Sequence, residues 1–232
     1  MWTDRTQLLI GEDGLKKLQN SHVAVIGLGG VGGYACSLLA RAGIGHFTIV
    51  DFDVVDETNT NRQIVADTQT VGKFKTEVMA EMISKINPNC KVEVLNLRLT
   101  AENLQNGKIN LKNCDYVVDA IDSVKDKVEL ICHCKENIIP IVSAMGSGNR
   151  IEIPEFKVVD IYKTSNDGLA KVMRKNLRNR SIKNLDVVTT TQTPMQTDSN
   201  TVGSISYFPA MCGCVLAGFV IQRLLKHSEM KT

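Results

Sequence analysis

The chain carries almost no net charge: 27 Lys and Arg stand against 25 Asp and Glu, leaving +2. A basic field over the whole surface is thereby excluded, so any contact with nucleic acid must come from a local patch. The seven cysteines, at 36, 90, 114, 132, 134, 212 and 214, form no even framework, and the opening MWTDRTQ is too polar for a signal peptide. Reduced thiols and a cytoplasmic location follow as expectations. No Cys-x-x-Cys pair occurs. The close pairs Cys132-His-Cys134 and Cys212-Gly-Cys214 have one intervening residue each, on predicted helices. Tetrahedral zinc takes its paired ligands from turns, about two to four residues apart, so a zinc site is not expected. The longest apolar run, Tyr207–Ile221, is too short and too rich in small residues to span a bilayer, so no integral membrane segment is expected. Internal repeats and low-complexity segments are absent.

What is present is enough apolar sequence, 43% of 232 residues, to bury one substantial core. His22–Ile26 is a short β-branched run of the kind buried in a parallel sheet. It breaks at GLGGVGG, turns helical through Tyr34–Ala42 and returns to a strand at Phe47–Asp51. A helix from about Gly72 to Ile86 ends before Pro88, and strands are expected at Lys91–Leu97, Cys114–Ile121 and Pro140–Ser143, with a helix over Ser123–Asn137 between the last two. Beyond Met145 the pattern changes. Arg150–Ile153 and Lys157–Tyr162 read as antiparallel strands, Asp167–Arg180 as a basic helix, Leu185–Thr191 as a strand, Gln192–Thr201 as a mobile loop and Pro209–Lys226 as a closing helix. The expected fold is α/β: a Rossmann-like, doubly wound, mostly parallel sheet with an antiparallel C-terminal extension. One unit over 1–232 is expected, with 1–148 the nucleotide-binding half and 149–232 an elaboration.

The chemistry concentrates between Val50 and Lys75. Glycines at 27, 29 and 30 let backbone N–H groups and a helix N-terminus approach phosphate, and Asp51 at a strand end suits a ribose. Those features alone do not separate a redox enzyme using a dinucleotide from an ATP enzyme. Arg62 and Lys75 favour the second, because breaking a triphosphate needs cations where charge grows on the leaving oxygens; solvated surface cations are the plain alternative. Asp122 ends the fourth strand, where a carboxylate can hold Mg²⁺ between phosphates, or cap the Ser123 helix. Asp119, inside that strand, suits a hydrogen-bonded buried acid. Lys171–Lys183, KVMRKNLRNRSIK, is the one local basic patch, either a solvated helix face or an RNA contact.

GLGGVG, DFD, TNTNRQ, VGKFK and DAIDS stand in the order found in the adenylating family related to ubiquitin-activating enzymes, and the chain resembles that family from Arg5 to about Ser147. The resemblance implies ATP at a site drawn from Gly27, Gly29, Gly30, Asp51, Asp53, Asn59, Asn61, Arg62, Gln63, Lys75, Asp122 and Ser123, with Mg²⁺ near Asp122. It also implies a homodimer in which Arg5 reaches across into the partner's site, so that Arg5, Arg62, Lys75 and Asp122 are the catalytic set. Sulfur-carrier activators of this family usually hold a zinc on two Cys-x-x-Cys pairs. Without such pairs the chain is more similar to the tRNA threonylcarbamoyladenosine dehydratase branch, and TNTNRQI, DAIDSVKDK, Ile139–Lys163 and GSISYFPAMCGCVLAGFVIQ extend that similarity over nearly the whole sequence.

The branch implies a tRNA substrate whose threonyl carboxylate is adenylated and then cyclised with loss of water. It implies an anticodon loop presented near Asp122, phosphates on Lys171–Lys183 with Lys157 and Lys163, and bases stacked on Tyr207 or Phe208 unless these pack in the core. It also admits a sulfur-relay protein as partner. Ring closure is intramolecular, so no thiol relay is needed, and the apolar neighbours of Cys212 and Cys214 argue against a nucleophile there. The rivals are adenylation of a sulfur-carrier protein's C-terminus, which shares the ATP site, and a dinucleotide-binding redox protein, in which TNTNRQ and Lys75 would be idle.

Overall fold

The structure, a computed structural model, describes residues 1–198 and 201–226. Its seven strands form one sheet in the order β3-β2-β1-β4-β5-β7-β6. β1 (His22–Ile26), β2 (His46–Val50), β4 (Tyr116–Asp119) and β5 (Ile141–Ala144) occupy the centre and are buried almost throughout, as both-face coverage demands of β-branched runs. β3 (Lys91–Leu95) is the more exposed edge. All these pair in parallel, β7 (Asp186–Thr189) adds in parallel to β5, and β6 (Lys157–Asp160) pairs antiparallel with β7. The doubly wound sheet with an antiparallel edge is the architecture expected from the sequence.

Helices cover both faces. α2 (Gly32–Ala42), α3 (Lys75–Ile86) and α7 (Tyr207–Lys226) share one core with Phe47, Ile49 and Val118. α4 (Ala101–Gln105), α5 (Val124–Glu136) and α6 (Gly168–Asn179) share the other with Ile26, Val117 and Val187. α1 (Asp4–Asn20) lies against α7. The join between α2 and α7 is close: a Cβ on Gly213 would stand 2.5 Å from the carbonyl oxygen of Val31, so only glycine lets α7 seat on the start of α2.

Three expectations need correction. Arg150–Ile153 is not a strand: Asn149 is left-handed at φ 55°, its main chain bonds to Gly203 and Met195, and Arg150 turns inward, so no ladder forms. α3 starts at Lys75 itself, one turn later than read. α7 extends past the run Tyr207–Ile221 and is long and apolar enough to cross a membrane by length and composition, yet it buries Phe208, Cys212, Leu216, Val220 and Leu224 inside the protein. The described part of Gln192–Thr201 forms neither helix nor strand, and 199–200 lie outside the described residues.

Candidate active site

The carboxyl ends of β1, β2, β4 and β5 open into a cleft of about 750 Å³. Parallel sheets put ligand sites there because the loops diverge at that edge. Its floor is the glycine turn. Gly27 has φ 89°, and a Cβ on it would lie 2.8 Å from the carbonyl oxygen of Ala120, so the turn and the loop after β4 pack main chain to main chain. Gly29 and Gly30 line the cleft, and a Cβ on Gly30 would sit 3.1 Å from Pro209 at the start of α7.

Asp51 is buried at the end of β2. Its Oδ2 accepts from Leu28 N at 2.6 Å and its Oδ1 from Asp53 N at 2.9 Å. Burial pushes its pKa above the ordinary carboxylate value, against the pull of those two N–H groups and Lys75. Lys75 lines the cleft from the first turn of α3. Its buried Nζ lies 2.8 Å from Oδ2 of Asp53, whose side chain is half exposed. Arg62 also lines the cleft, where its Nη1 donates to Thr58 O and to Asn61 Oδ1, both at 2.8 Å. Its bonded acceptors are neutral, so its full charge remains for an anion.

Asp122 lines the cleft on an exposed loop, with no hydrogen bond or ion pair among the described residues. Such an open carboxylate suits Mg²⁺, which takes one or two protein oxygens and completes its shell with phosphate and water. Asn59 and Gln63 line the cleft as well. Asn59 Oδ1 closes a capping box on Asp56 N at 3.1 Å, while the buried Oε1 of Gln63 has no hydrogen-bond partner.

The remaining expected residues stand apart. Asn61 is outside the lining and turns its Nδ2 to Ser204 O at 3.0 Å. Ser123 is outside it too, and it, not Asp122, caps α5, accepting from Asp126 N at 3.5 Å. Arg5 is exposed on α1 and does not line its own chain's cleft. Asp119 is the buried acid it was read to be: it bonds Lys127 Nζ at 2.8 Å, Ser143 Oγ at 2.6 Å and the N–H of Ile121 at 3.1 Å.

Several lining residues were not read as part of the site: Phe52, Arg98, Asp126, Leu169, Val202 and Ser204, while the loop Met145–Gly148 was legible only as a place whose carbonyls could hold a monovalent cation. Arg98 Nη2 pairs with Asp126 at 2.8 Å, and its guanidinium lies over the Phe52 ring at 5.3 Å. Phe52 stands inside DFD and Ser204 inside GSISYF, both carrying only the family resemblance, whereas Arg98 and Val202 had no signal of their own. Phe208 is packed in the core against Phe156, and the Tyr207 hydroxyl donates to Ile151 O, so Phe208 offers no base a stacking face. Burial pushes Cys212 up to about 12, which leaves a poor nucleophile, whereas Cys214 is exposed on α7, so the apolar surroundings expected for the pair hold for Cys212 alone.

The model of the ThiF family matches residues 3–232. The chain belongs to the ThiF family. Within it, the chain is similar to the tRNA threonylcarbamoyladenosine dehydratase of Bacillus subtilis, 37% identical over 98% of this chain and 96% of the relative. The Escherichia coli protein of the same name is 43% identical over 76% of this chain and 66% of its own length. Among solved structures, the E. coli tRNA N6-threonylcarbamoyladenosine dehydratase in complex with ATP superposes with a TM-score of 0.91 at 36% identity, covering 99% of this chain and 96% of that one. The complex with AMP gives the same TM-score over 98% and 95%. The family resemblance read from GLGGVG, TNTNRQ and DAIDS is therefore correct, and this ThiF-family chain spans nearly the full length of the B. subtilis relative.

Proposed function

We propose that the chain is an ATP-dependent enzyme that dehydrates N6-threonylcarbamoyladenosine beside the anticodon of tRNA to its cyclic form. The threonyl carboxylate attacks the α-phosphorus of ATP and pyrophosphate leaves. The carbamoyl group of the same modification then attacks the activated carbonyl and AMP leaves, so one water is lost from the nucleoside and ATP ends as AMP and pyrophosphate. What carries this reading is the convergence of Asp51, Arg62, Lys75 and Asp122 on one cleft in a chain of this family.

Each residue has a distinct task. Asp51 accepts from the ribose and the glycine turn holds phosphate through its N–H groups. Arg62 and Lys75 stabilise charge on the transferring phosphate, with Lys75 released from or shared with Asp53. Asp122 would hold Mg²⁺, which when bound neutralises charge across the phosphates. Arg5 completes the site from a second copy of the chain in a homodimer. In this reading 1–148 holds the nucleotide, 149–232 is a C-terminal elaboration of the same catalytic unit that brings the basic helix, and the enzyme works in the cytoplasm.

The tRNA phosphates meet Lys171, Lys175 and Lys183, with Lys157 and Lys163, all of which are exposed. The patch is smaller than the sequence implies. Arg174 bonds Thr164 O, Arg178 stacks on Tyr162, and Arg180 pairs with Glu129.

The test is to incubate the protein with ATP, Mg²⁺ and tRNA bearing the modification, then weigh the nucleoside. A mass lower by one water supports the proposal and an unchanged mass removes it. Pyrophosphate exchange driven by a carrier protein ending in Gly-Gly, with no response to RNA, would instead establish the carrier-activating reading.

A further inference from the structure

The loop after β5 is held by two buried charges that none of the steps above uses. Arg150 is 6% exposed, yet its bonded acceptors are neutral carbonyls: Gln192 O at 3.0 Å, Gly146 O at 3.0 Å, Gly148 O at 3.2 Å and Asn166 O at 3.3 Å. Asp167 is 4% exposed and likewise bonds neutral donors, taking Gly146 N at 3.0 Å, Thr189 Oγ1 at 3.2 Å and Ala170 N at 2.9 Å. The main chain of Gly146 is thus gripped at its N–H by an anion and at its C=O by a cation. Buried charges are costly to keep, and bonding them to main chain fixes geometry more than it adds stability.

That grip has a direction. In a trans peptide the C=O and the following N–H point opposite ways, and the described chain has no cis bond. With Gly146 C=O turned to the buried guanidinium, the N–H of Ser147 faces the other way, and its carbonyl neighbour is polarised by a full charge. Ser147 lines the cleft, and its N–H has no acceptor among the described residues. The loop also lies across the cleft from Asp51 and the glycine turn. Asp51 and the glycine turn end β2 and β1, whereas Met145–Gly148 follows β5, beyond β4 and Asp122. A group that meets the phosphates from that side of the cleft lies against this wall.

We propose that Arg150 is a positioning residue: through the Gly146–Ser147 peptide it aims the Ser147 N–H at the carboxylate that ATP activates, while Asp167 steadies the same wall from the other side. The inference rests on the adenylation reading above and adds the place where the acid lies. It separates two kinds of binding. Nucleotide affinity depends on the β1–β2 side, and acceptor alignment depends on Arg150.

The test compares wild type with Arg150→Met, which keeps length without charge, and Arg150→Lys, which keeps charge without the fork. ATP affinity is read by titration calorimetry, and KM and kcat are read with modified tRNA. Arg150→Met is expected to bind ATP like wild type and to lose about a hundredfold in kcat/KM for tRNA, the scale of a small misalignment; Arg150→Lys should fall between. Unchanged turnover in Arg150→Met overturns the proposal, as does a parallel loss of ATP affinity, turnover and melting temperature. If Arg150→Met does not fold, the same split in Arg150→Lys decides, and failure of both to fold overturns it by making Arg150 a holder of the fold. A wild type that binds ATP and leaves the nucleoside unchanged instead overturns the adenylation reading, and the wall's role with it.

Discussion

Lys75 and Lys127 are both buried ammonium groups paired at 2.8 Å with an aspartate, and their surroundings give them opposite uses. Asp53 keeps 47% of its side chain exposed, so losing Lys75 leaves a carboxylate that water can solvate. Lys75→Ala should leave the melting temperature nearly unchanged while AMP production falls by about a hundredfold or more, and Arg62→Ala should do the same. Thermal melts beside an AMP assay check the pair. Asp119 and Lys127 have no exposed side-chain surface. Lys127→Ala strands a buried carboxylate and should lower stability by about 3–5 kcal/mol, whereas Lys127→Met with Asp119→Asn should lose much less. Urea unfolding of the two proteins distinguishes them. In the chain Asp119 also fixes Ile121 N, so the pair sets the loop on which Asp122 is offered.

The strands show where local pattern sufficed. β1, β2, β4 and β5 are short β-branched runs buried on both faces, and that composition has few other uses. Polar residues at their carboxyl ends were legible as a site because no core needs Arg62 or Asp122. Arg150–Ile153 was misread because alternation is also what an irregular segment shows when one side chain turns in and Ile151 and Ile153 turn out. The side of the cleft formed by Val202 and Ser204 was not legible: these residues reach it through a loop without periodicity, from far along the sequence. Met145–Gly148, directly after β5, was legible only as carbonyls that could hold a monovalent cation. At the opposite edge of the sheet, the starts of β1 and β2 place His22 and His46 in a stack 3.6 Å apart. Burial, then the neighbouring His46, lower the His22 pKa from 6.5, against the pull of Glu93 and Asp115. The folded state therefore binds fewer protons than the unfolded one below that value. The stability His22 contributes is whole above pH 6.5 and is lost as pH falls through its lowered folded value. The urea midpoint should drop as pH falls below 6.5, and His22→Phe should flatten part of that drop.

For the molecule as a whole, the proposed dimer makes the sharpest demand. Arg5 is exposed on α1 beside Leu8 and Leu9, which are 86% and 88% exposed, and Arg5 does not line its own cleft. If it serves the neighbouring site, Arg5→Ala and Lys75→Ala should each be inactive alone and regain activity when mixed. Random pairing puts half the protomers in mixed dimers with one intact site each, so about one quarter of wild-type turnover is expected. No recovery after subunit exchange, verified by native mass spectrometry, would exclude action in trans.

The seat of α7 on the start of α2 bears on when the protein becomes competent during synthesis. Gly213 and Pro209 press on the turn that holds phosphate, and they are translated long after Gly27 and Gly30. A ribosome-bound chain that has released only the first strands and helices has its glycine loop without that backing. Nascent polypeptides stalled before Pro209 should retain no ATP, and those stalled after α7 has cleared the exit tunnel should, so the last described helix acts as a timer on activity.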